Sequence, residues 1–299
     1  MSAPAAAAVT PERLLHRLDL NVVRRLDGLF QGDYRTLFFG SGVDFADLRD
    51  YQPHDDVRHI DWNVTARMDR PFVREYVEDR ELTAWLVLDR SPSMTFASGS
   101  LSKAMAVTEL VTTLARLLTR SGNRIGASLF DHRVERVIEA RAGRNQVLRI
   151  AHELLKPVQG SGRPTALGPV LAATAQSLSR RSLVVVVSDF ITSPGWEQAL
   201  HLLGRRHEVL ALRVVDPHEF ELPEAGVVVL EDLESGEQLT VDTGDPGFRS
   251  RYATAVAQQA VALRASALRA GVDLHPIGTD EDLVSALVRL AERRRRAIR

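Results

Sequence analysis

Acidic and hydroxyl side chains follow two apolar segments that have the composition of buried strands. Asp89 comes directly after one of these segments, and Ser91 and Ser93 follow it at alternate positions. Asp189 comes after the second segment, separated from it by one serine. In an open α/β sheet, ligands bind beside the carboxyl ends of the strands, where the strand order reverses. We therefore expect both carboxylates and both hydroxyls to lie at one edge of one sheet.

A fifth oxygen donor, the hydroxyl of Thr165, lies at the predicted start of the helix that precedes the second strand. Together with Asp89, Ser91, Ser93 and Asp189 it provides two carboxylates and three neutral oxygens from three loops. Mg2+ prefers near-octahedral oxygen ligands at about 2.0–2.1 Å and retains some of its water. These five residues are therefore predicted to bind a divalent cation, Mg2+ or Mn2+. Such an ion keeps a position open for a further oxygen, such as a carboxylate of a partner protein.

Strand-like and helix-like segments alternate from residue 81 to the end of the sequence. Helices are predicted where apolar residues recur every three or four positions, and strands where short apolar runs occur. The predicted strands are 83–88, 125–130, 134–139, 183–187, 209–215 and 272–277. The predicted helices are 101–120, 146–155, 165–179, 196–203, 248–270 and 281–294. This order predicts a Rossmann-like α/β domain with a mostly parallel central sheet covered by helices on both faces.

Two parts of the sequence fall outside this alternation. The first 80 residues contain a predicted helix over 10–29, and then a segment rich in Asp, Arg and aromatic residues over 39–81 that predicts short strands and loops. Residues 217–270 interrupt the later alternation with a predicted β-hairpin and a long helix. We therefore divide the chain into residues 1–80, packed on the main domain, and residues 81–299. The interruption is interpreted as an insertion that offers a surface to a partner.

The five oxygen donors resemble the metal-ion-dependent adhesion site of von Willebrand factor A domains. The resemblance lies in Asp89-x-Ser91-x-Ser93 after an apolar strand, in Thr165 followed by Ala-Leu-Gly, and in Asp189 preceded by Val-Val-Val-Ser. It implies a domain of this type that binds a protein partner through the metal ion.

Segments further upstream resemble the DUF58 family, whose bacterial members join such segments to a von Willebrand factor A-like domain. They are Gly-Ser-Gly-Val-Asp-Phe at 40–45, Leu-Arg-Asp-Tyr at 48–51, Asp-Asp-Val-Arg-His-Ile-Asp-Trp at 55–62 and Ala-Arg at 66–67. This resemblance covers roughly residues 30–200. DUF58 proteins are often associated with MoxR-type AAA+ ATPases, so the resemblance implies such a partner in a chaperone-like assembly. Many members carry membrane-spanning helices ahead of these motifs, and this sequence has no such segment.

The composition argues against several other classes of protein. The formal net charge is -1, which gives no overall attraction to nucleic acids or anionic membranes. The absence of cysteine excludes disulfides and thiolate metal sites. No apolar run approaches the roughly 20 residues that cross a bilayer, and the alanine-rich start does not have the pattern of a signal peptide. We therefore expect a cytoplasmic protein with no transmembrane segment.

Two alternative interpretations of the chemistry stay open. A metal ion held by aspartates could activate water, which would make the protein a metal-dependent phosphoester hydrolase. No evident general base or second strong metal cluster accompanies the five donors, so we expect a binding protein and not an enzyme. Separately, a second metal site could be formed by His54, Asp55 and Asp56 together with His59 and Asp61. The arginines close to them favour a charge-paired loop.

Overall fold

Helices and strands alternate through the part of the chain that the computed structural model describes, which is residues 9–30, 47–52, 55, 57, 60, 62–68, 70–75, 83–99, 101–120, 122–158, 160 and 162–297. The helices are α1 (Pro11–Leu18), α2 (Arg24–Phe30), α3 (Trp62–Met68), α4 (Lys103–Arg120), α5 (Arg144–Leu154), α6 (Leu167–Ser177), α7 (Trp196–Arg206), α8 (Pro246–Arg269) and α9 (Leu283–Ala297). The strands are β1 (Asp47–Asp50), β2 (Phe72–Glu75), β3 (Thr83–Asp89), β4 (Arg124–Phe130), β5 (Val134–Arg141), β6 (Leu183–Ser188), β7 (Glu208–Val215), β8 (Val227–Glu231), β9 (Gln238–Asp242) and β10 (Leu274–Gly278).

Six strands form the central sheet, in the order β10-β7-β6-β3-β4-β5. Neighbouring strands are parallel except for β4 and β5, which are antiparallel. Every residue of β6 is buried, as expected for a parallel strand covered on both faces. Because side chains alternate along a strand, Val185 and Val187 join the core on one face, whereas Val184 and Val186 join the core on the other.

Helices cover both faces of this sheet. Side chains of α1, α2, α4, α5 and α9 contribute to the core on one face. Those of α6, α7 and the C-terminal end of α8 contribute to the core on the opposite face. This arrangement of three layers confirms the predicted α/β class, with a mostly parallel central sheet flanked by helices.

The strand order reverses at β3. The chain runs from β3 outward to β4 and β5, and then returns to β6 on the other side of β3. In the register of these parallel strands, Leu88 pairs with Val187. The residues that follow β3 and β6 therefore lie side by side at the reversal point, where ligands bind in sheets of this kind.

The N-terminal 80 residues differ in two respects from the sequence prediction. A π-helical turn, Asp19–Val23, joins α1 to α2, where the periodicity predicted one regular helix. Strands β1 and β2 pair with each other, and α3 lies between them in a segment for which only short strands and loops were predicted. Trp62 and Met68, at the two ends of α3, are exposed. The helix therefore lacks the regular apolar stripe from which helices are predicted.

Thr165 lies in a loop and not at the start of α6, which begins at Leu167. The physical reason is Pro169, since a proline has no N–H to donate to the carbonyl four residues earlier and its ring clashes with that carbonyl. A helix that began at Thr165 would need this bond. Starting at Leu167 instead places the proline in the first turn, where no such donor is required.

The region interpreted as an insertion contains the predicted hairpin, formed by β8 and β9, and the predicted helix, α8. The hairpin is a separate two-stranded sheet. Val227, Val229 and Leu239 are exposed on it. A two-stranded hairpin is only marginally stable on its own, so the position of this one depends on contacts at its base and tip.

His275, in the edge strand β10, is buried in its neutral form. It is 8% exposed, and its Nδ1 atom has no hydrogen-bond partner within the described residues. Burial lowers the pKa of His275 to about 4, and Arg294, Arg293 and Arg264 add to this effect while Asp273 opposes it. Protonation of this imidazole is therefore unfavourable in the folded protein.

We predict that His275 makes the protein sensitive to mild acid. The unfolded chain protonates this histidine near pH 6.5 and the folded chain only near pH 4, so stability falls as the pH decreases between these values. The loss is about 2 kcal/mol at pH 5. His275→Gln removes this part of the pH dependence, which urea unfolding of both proteins at pH 7.5 and pH 5 measures. Equal losses in the two proteins would contradict the prediction.

Candidate metal centre

Asp89 is the last residue of β3, and its carboxylate lies buried between two neighbouring segments. Its Oδ1 atom accepts a hydrogen bond from the backbone N–H of Ser91 at 2.9 Å. Its Oδ2 atom accepts a hydrogen bond from the hydroxyl of Ser188, the last residue of β6. Because β3 and β6 pair directly, the sheet itself fixes the position of the Asp89 carboxylate.

Ser91 and Ser93 are presented by a tight turn after β3. A 3-10 turn spans Pro92–Thr95, and the buried side chain of Met94 anchors it. The hydroxyl oxygens of the two serines lie 3.0 Å apart. Ser93 also donates a hydrogen bond to Oδ2 of Asp189 at 2.8 Å. The turn therefore links the end of β3 to the end of β6.

The loop that carries Asp189 has an unusual backbone conformation. Phe190 has a φ of 61°, a left-handed conformation that is uncommon for residues other than glycine. Its N–H donates to Ser188 Oγ, the N–H of Ile191 donates to Asp189 Oδ1, and both distances are 2.9 Å. The ring of Phe190 packs edge-on against Trp196, with centroids 5.6 Å apart. Strain of this kind is enforced by surrounding contacts and concentrates at functional sites.

Thr165 ties the loop before α6 to the loop that follows β6. Its carbonyl accepts hydrogen bonds from the N–H of Ser193 at 2.9 Å and from the hydroxyl of Thr192 at 2.8 Å. Its hydroxyl bonds to the carboxylate of Glu234, at 3.0 Å and 2.9 Å from the two oxygens. The structure thus joins four of the predicted donors in one hydrogen-bond network and holds Thr165 on an adjoining loop.

The spacing of these oxygens fits a cation with octahedral coordination. Metal–oxygen bonds of 2.0–2.1 Å at right angles place adjacent ligand oxygens about 2.8–3.0 Å apart. The hydroxyls of Ser91 and Ser93 are 3.0 Å apart, and Ser93 Oγ is 2.8 Å from Asp189 Oδ2. These distances are also ordinary for O–H···O hydrogen bonds. The oxygens could therefore exchange hydrogen bonds for a shared cation while keeping their spacing.

The two buried carboxylates repel each other. Burial raises the pKa of Asp89 to about 7, and the negative charge of Asp189 adds to the increase. Hydrogen bonds from Ser188 and Ser91 oppose the shift because they stabilise the charged form. A positive charge placed at this edge therefore stabilises the ionised forms of the two carboxylates.

Lys103, the first residue of α4, already brings one positive charge to this edge. Only two lysines occur among the 38 Lys and Arg residues, and this one is fully buried. Its Nζ atom bonds to Asp189 Oδ2 at 2.8 Å and to Glu219 Oε1 at 2.6 Å. Burial alone would lower the pKa of Lys103, but the two carboxylates outweigh burial and raise it. The ammonium group therefore stays charged and offsets part of the charge of Asp189.

Asp131, which follows β4, is a further carboxylate at the same edge. It is fully buried, and neither of its side-chain oxygens has a hydrogen-bond partner within the described residues. Its carbonyl accepts a hydrogen bond from the N–H of Ala166 at 3.3 Å, which places it beside the loop of Thr165. The position directly after a strand, which identified Asp89 and Asp189, is a signal that could also have identified Asp131.

Of the other candidate metal site in the sequence, only Asp55 is among the described residues, and His54, Asp56, His59 and Asp61 lie outside them. Within the described residues, no three or more His, Cys, Asp or Glu side chains form a group that could hold a metal ion. The candidate site at β3 and β6 differs from such a group, since three of its five donor side chains are hydroxyls. Among the helices described, none is both long and apolar enough to span a bilayer.

The sequence can now be compared with known proteins. Residues 47–262 match the family model described as protein of unknown function DUF58. The chain belongs to the DUF58 family. An uncharacterized protein of Mycobacterium tuberculosis is 35% identical over 289 residues, which cover 94% of this chain and 89% of that protein. A Mycobacterium avium protein is 32% identical over 166 residues, which cover 53% of this chain and 94% of the relative. The predicted family is thereby confirmed.

Several solved structures are similar to this DUF58 chain at low sequence identity. An aerotolerance-related membrane protein from Bacteroides fragilis has a TM-score of 0.48 and 15% identity, covering 72% of this chain and 99% of that one. The SpRpn10 VWA domain has a TM-score of 0.37 and 14% identity, covering 69% of this chain and 93% of that domain. The fold itself is established by the strand order and the helical layers described above.

We predict that Lys103→Met destabilises the protein strongly in the presence of EDTA. The substitution preserves the apolar stem but leaves Asp189 buried beside Asp89 without its cation, a change that typically costs about 3–5 kcal/mol. The matched control is Lys156→Met, the other lysine, whose partly exposed side chain pairs with Glu153. The control substitution lowers the free energy of unfolding by less than about 1 kcal/mol. Urea unfolding monitored by circular dichroism measures both values, and similar small losses would contradict the prediction.

Proposed function

We propose that this DUF58 protein is a metal-dependent protein-binding module. Five side chains, those of Asp89, Ser91, Ser93, Thr165 and Asp189, hold Mg2+ or Mn2+ at the carboxyl ends of β3 and β6. The ion binds an acidic side chain of a partner protein as a further ligand. One observation carries the proposal, namely the series of oxygens from Ser91 through Ser93 to Asp189, with separations of 3.0 Å and 2.8 Å, at the reversal point of the sheet.

The charges at this edge favour a cation that still attracts an anion. The two aspartates supply negative charge, and the three hydroxyls supply oxygens without charge. Lys103 offsets part of the charge of Asp189. A hard divalent ion in such a setting is incompletely neutralised and retains affinity for one more oxygen ligand. A carboxylate from a partner supplies both the oxygen and the missing charge.

The nearby amine of Lys103 is not a candidate for a general base. A metal-dependent hydrolase benefits from a general base whose pKa lies close to the working pH. The pKa of Lys103 is raised by its two carboxylate partners, so its amine remains protonated and cannot accept a proton. Asp189 and Glu219 lie on either side of this ammonium group and stabilise its protonated form.

The partner that family resemblance implies is a MoxR-type AAA+ ATPase. We propose that it presents an acidic side chain to the metal ion. The hairpin of β8 and β9 with helix α8 supplies a second contact surface, and the exposed side chains of Val227, Val229 and Leu239 are suited to such contacts. Both contacts together would give the complex its specificity.

We predict that the wild-type protein binds one Mg2+ or Mn2+ ion and that Asp89→Ala reduces the affinity by roughly 100-fold or more, since loss of even an outer partner of a metal ligand costs about 10–100-fold. The control is Asp216→Asn. Asp216 is also buried at the end of a strand, β7, but its carboxylate is bonded to Ser98, His218 and Thr279. Isothermal titration calorimetry measures the metal affinity of all three proteins.

This proposal fails if the wild-type protein binds neither ion, or if Asp89→Ala binds as tightly as the wild type. An equal loss in the control would point to general destabilisation. Metal-dependent turnover of phosphoesters that is lost in Asp189→Ala would instead support the hydrolase.

We also predict that an immobilised wild-type chain retains a purified MoxR-type ATPase from the same genome in Mg2+, and releases it in EDTA. The reason is that the proposed contact passes through the ion. Asp89→Ala retains little ATPase under either condition, whereas Asp216→Asn behaves like the wild type. Retention that is insensitive to EDTA would show that the metal edge is not the contact.

A further inference from the structure

The outward faces of α6 and α7 enclose an open groove. On their inward faces, Leu171 of α6 and Leu200 of α7 are buried in the core against the sheet. The groove lies on the other side and encloses about 760 Å3, within the range of about 300–1,000 Å3 that is typical of binding sites. Apolar residues predominate in its walls, among them Pro169, Ala172, Ala175, Ala199 and Leu202.

Contacts between the two helices close the groove at both ends. At one end Gly168 allows a close approach, since a Cβ atom there would lie 3.4 Å from both the carbonyl oxygen of Gly195 and the Cα atom of Trp196. At the other end the guanidinium of Arg206 bonds to the carbonyl of Ala175 at 3.4 Å. Between these contacts α7 lines the groove over roughly three turns, or about 16 Å. This length suits a docked helix of a similar number of turns.

Helix α6 lacks the polar face that is typical of a helix at the surface. Its sequence, Leu-Gly-Pro-Val-Leu-Ala-Ala-Thr-Ala-Gln-Ser, contains no charged residue. Helices that are apolar on all sides are normally buried on all sides. In this chain, however, Pro169 is exposed and Ala172 and Ala175 are only partly buried. On the facing wall, Leu202 is 51% exposed. The groove therefore has the composition of a surface that another molecule covers.

One end of the groove is positively charged. Arg205 and Arg206 lie in the last turn of α7 and line the groove there. Within the described residues, neither guanidinium is paired with a carboxylate. Burial lowers the pKa of His207, the residue after α7, and Arg206 and Arg181 lower it further, so a third guanidinium is close. The lining residues at the opposite end are glycines and prolines. The groove thus suits a ligand that is apolar along its length and anionic at one end.

We infer that the groove binds an amphipathic helix of a partner protein, which runs antiparallel to α6 and α7 and carries acidic residues in its first turn. In this binding mode, apolar side chains three or four residues apart fill an apolar groove. The direction follows from charge. Acidic residues in the first turn stabilise the docked helix itself and pair with Arg205 and Arg206, whereas acidic residues in its last turn would destabilise it. This surface does not involve the metal ion, so it goes beyond the proposed function.

Two stapled helical peptides of equal composition serve as probes. Each carries leucines every three or four positions along one face and has blocked termini, so that neither peptide has terminal charges. The first peptide has its glutamates in the first turn, and the second has the same glutamates in the last turn. Fluorescence anisotropy in EDTA measures their binding to the full chain. We expect the first peptide to bind about fivefold more tightly, as two surface ion pairs allow.

Substitutions in the groove test where the peptides bind. Leu202→Glu places a charge in the apolar wall and should weaken binding of the first peptide at least about tenfold. Its control is Leu268→Glu, because Leu268 of α8 is 52% exposed and does not line the groove. Arg205→Glu should abolish the preference for the first peptide. Arg149→Glu, on the exposed side of α5 at the opposite face of the sheet, should retain it.

The inference is overturned if the folded wild-type protein binds neither peptide, or if it binds both equally tightly. It is also overturned if Leu202→Glu binds the first peptide as tightly as Leu268→Glu does. Circular dichroism verifies folding of each variant, which is expected because Leu202 and Arg205 are exposed. A separate titration with Mn2+ distinguishes the two proposals. A chain that binds the first peptide but no metal ion would refute the proposed function and leave the groove as a binding site.

Discussion

Two like charges are held close together at the carboxyl edge of the central sheet, and much of the surrounding structure compensates for their repulsion. Asp89 and Asp189 end up side by side because they follow β3 and β6, which are neighbours in the sheet. Moving them apart would require a different strand order. The sheet buries hydrophobic side chains on both faces, so this order is set by the core and the carboxylates must be stabilised where they are. Local hydrogen bonds, one buried ammonium group and the proposed divalent ion all serve this purpose.

The two carboxylates are stabilised by different groups. Each carboxylate accepts the backbone N–H of the residue two positions later, which is Ser91 for Asp89 and Ile191 for Asp189. The second oxygen of Asp89 accepts the hydroxyl of Ser188, whereas that of Asp189 accepts hydrogen bonds from Ser93 and Lys103. The second oxygen of Asp89 is therefore fixed by the neighbouring strand, and that of Asp189 by side chains of the turn after β3 and of α4. A centre built this way combines a rigid anchor with groups that can rearrange their hydrogen bonds around a ligand.

The fold, and the closeness of Asp89, Ser91, Ser93 and Asp189 at one edge of the sheet, could be predicted because their signals are local. Buried parallel strands appear as short apolar runs, and Asp89, Ser91 and Ser93 lie within five consecutive residues. Lys103, Glu219 and Glu234 could not be identified in the same way, because their contacts with the centre depend on tertiary packing. Glu234 in particular reaches Thr165 only because a hairpin folds back over the end of the sheet. The start of α6 was placed two residues too early because the periodic pattern outweighed the effect of Pro169.

The scarcity of lysine has a practical consequence for covalent labelling. The side chain of Lys103 is fully buried beside its carboxylate partners, whereas the side chain of Lys156 is 47% exposed. Apart from the α-amine, amine-reactive dyes are thus directed to one side chain of the folded chain. The carbonyl of Lys156 accepts a hydrogen bond from the guanidinium of Arg90 at 2.6 Å, and Arg90 directly follows Asp89. A fluorophore attached at Lys156 sits beside the edge of the sheet that carries the centre, where its emission can report events there without any engineered cysteine.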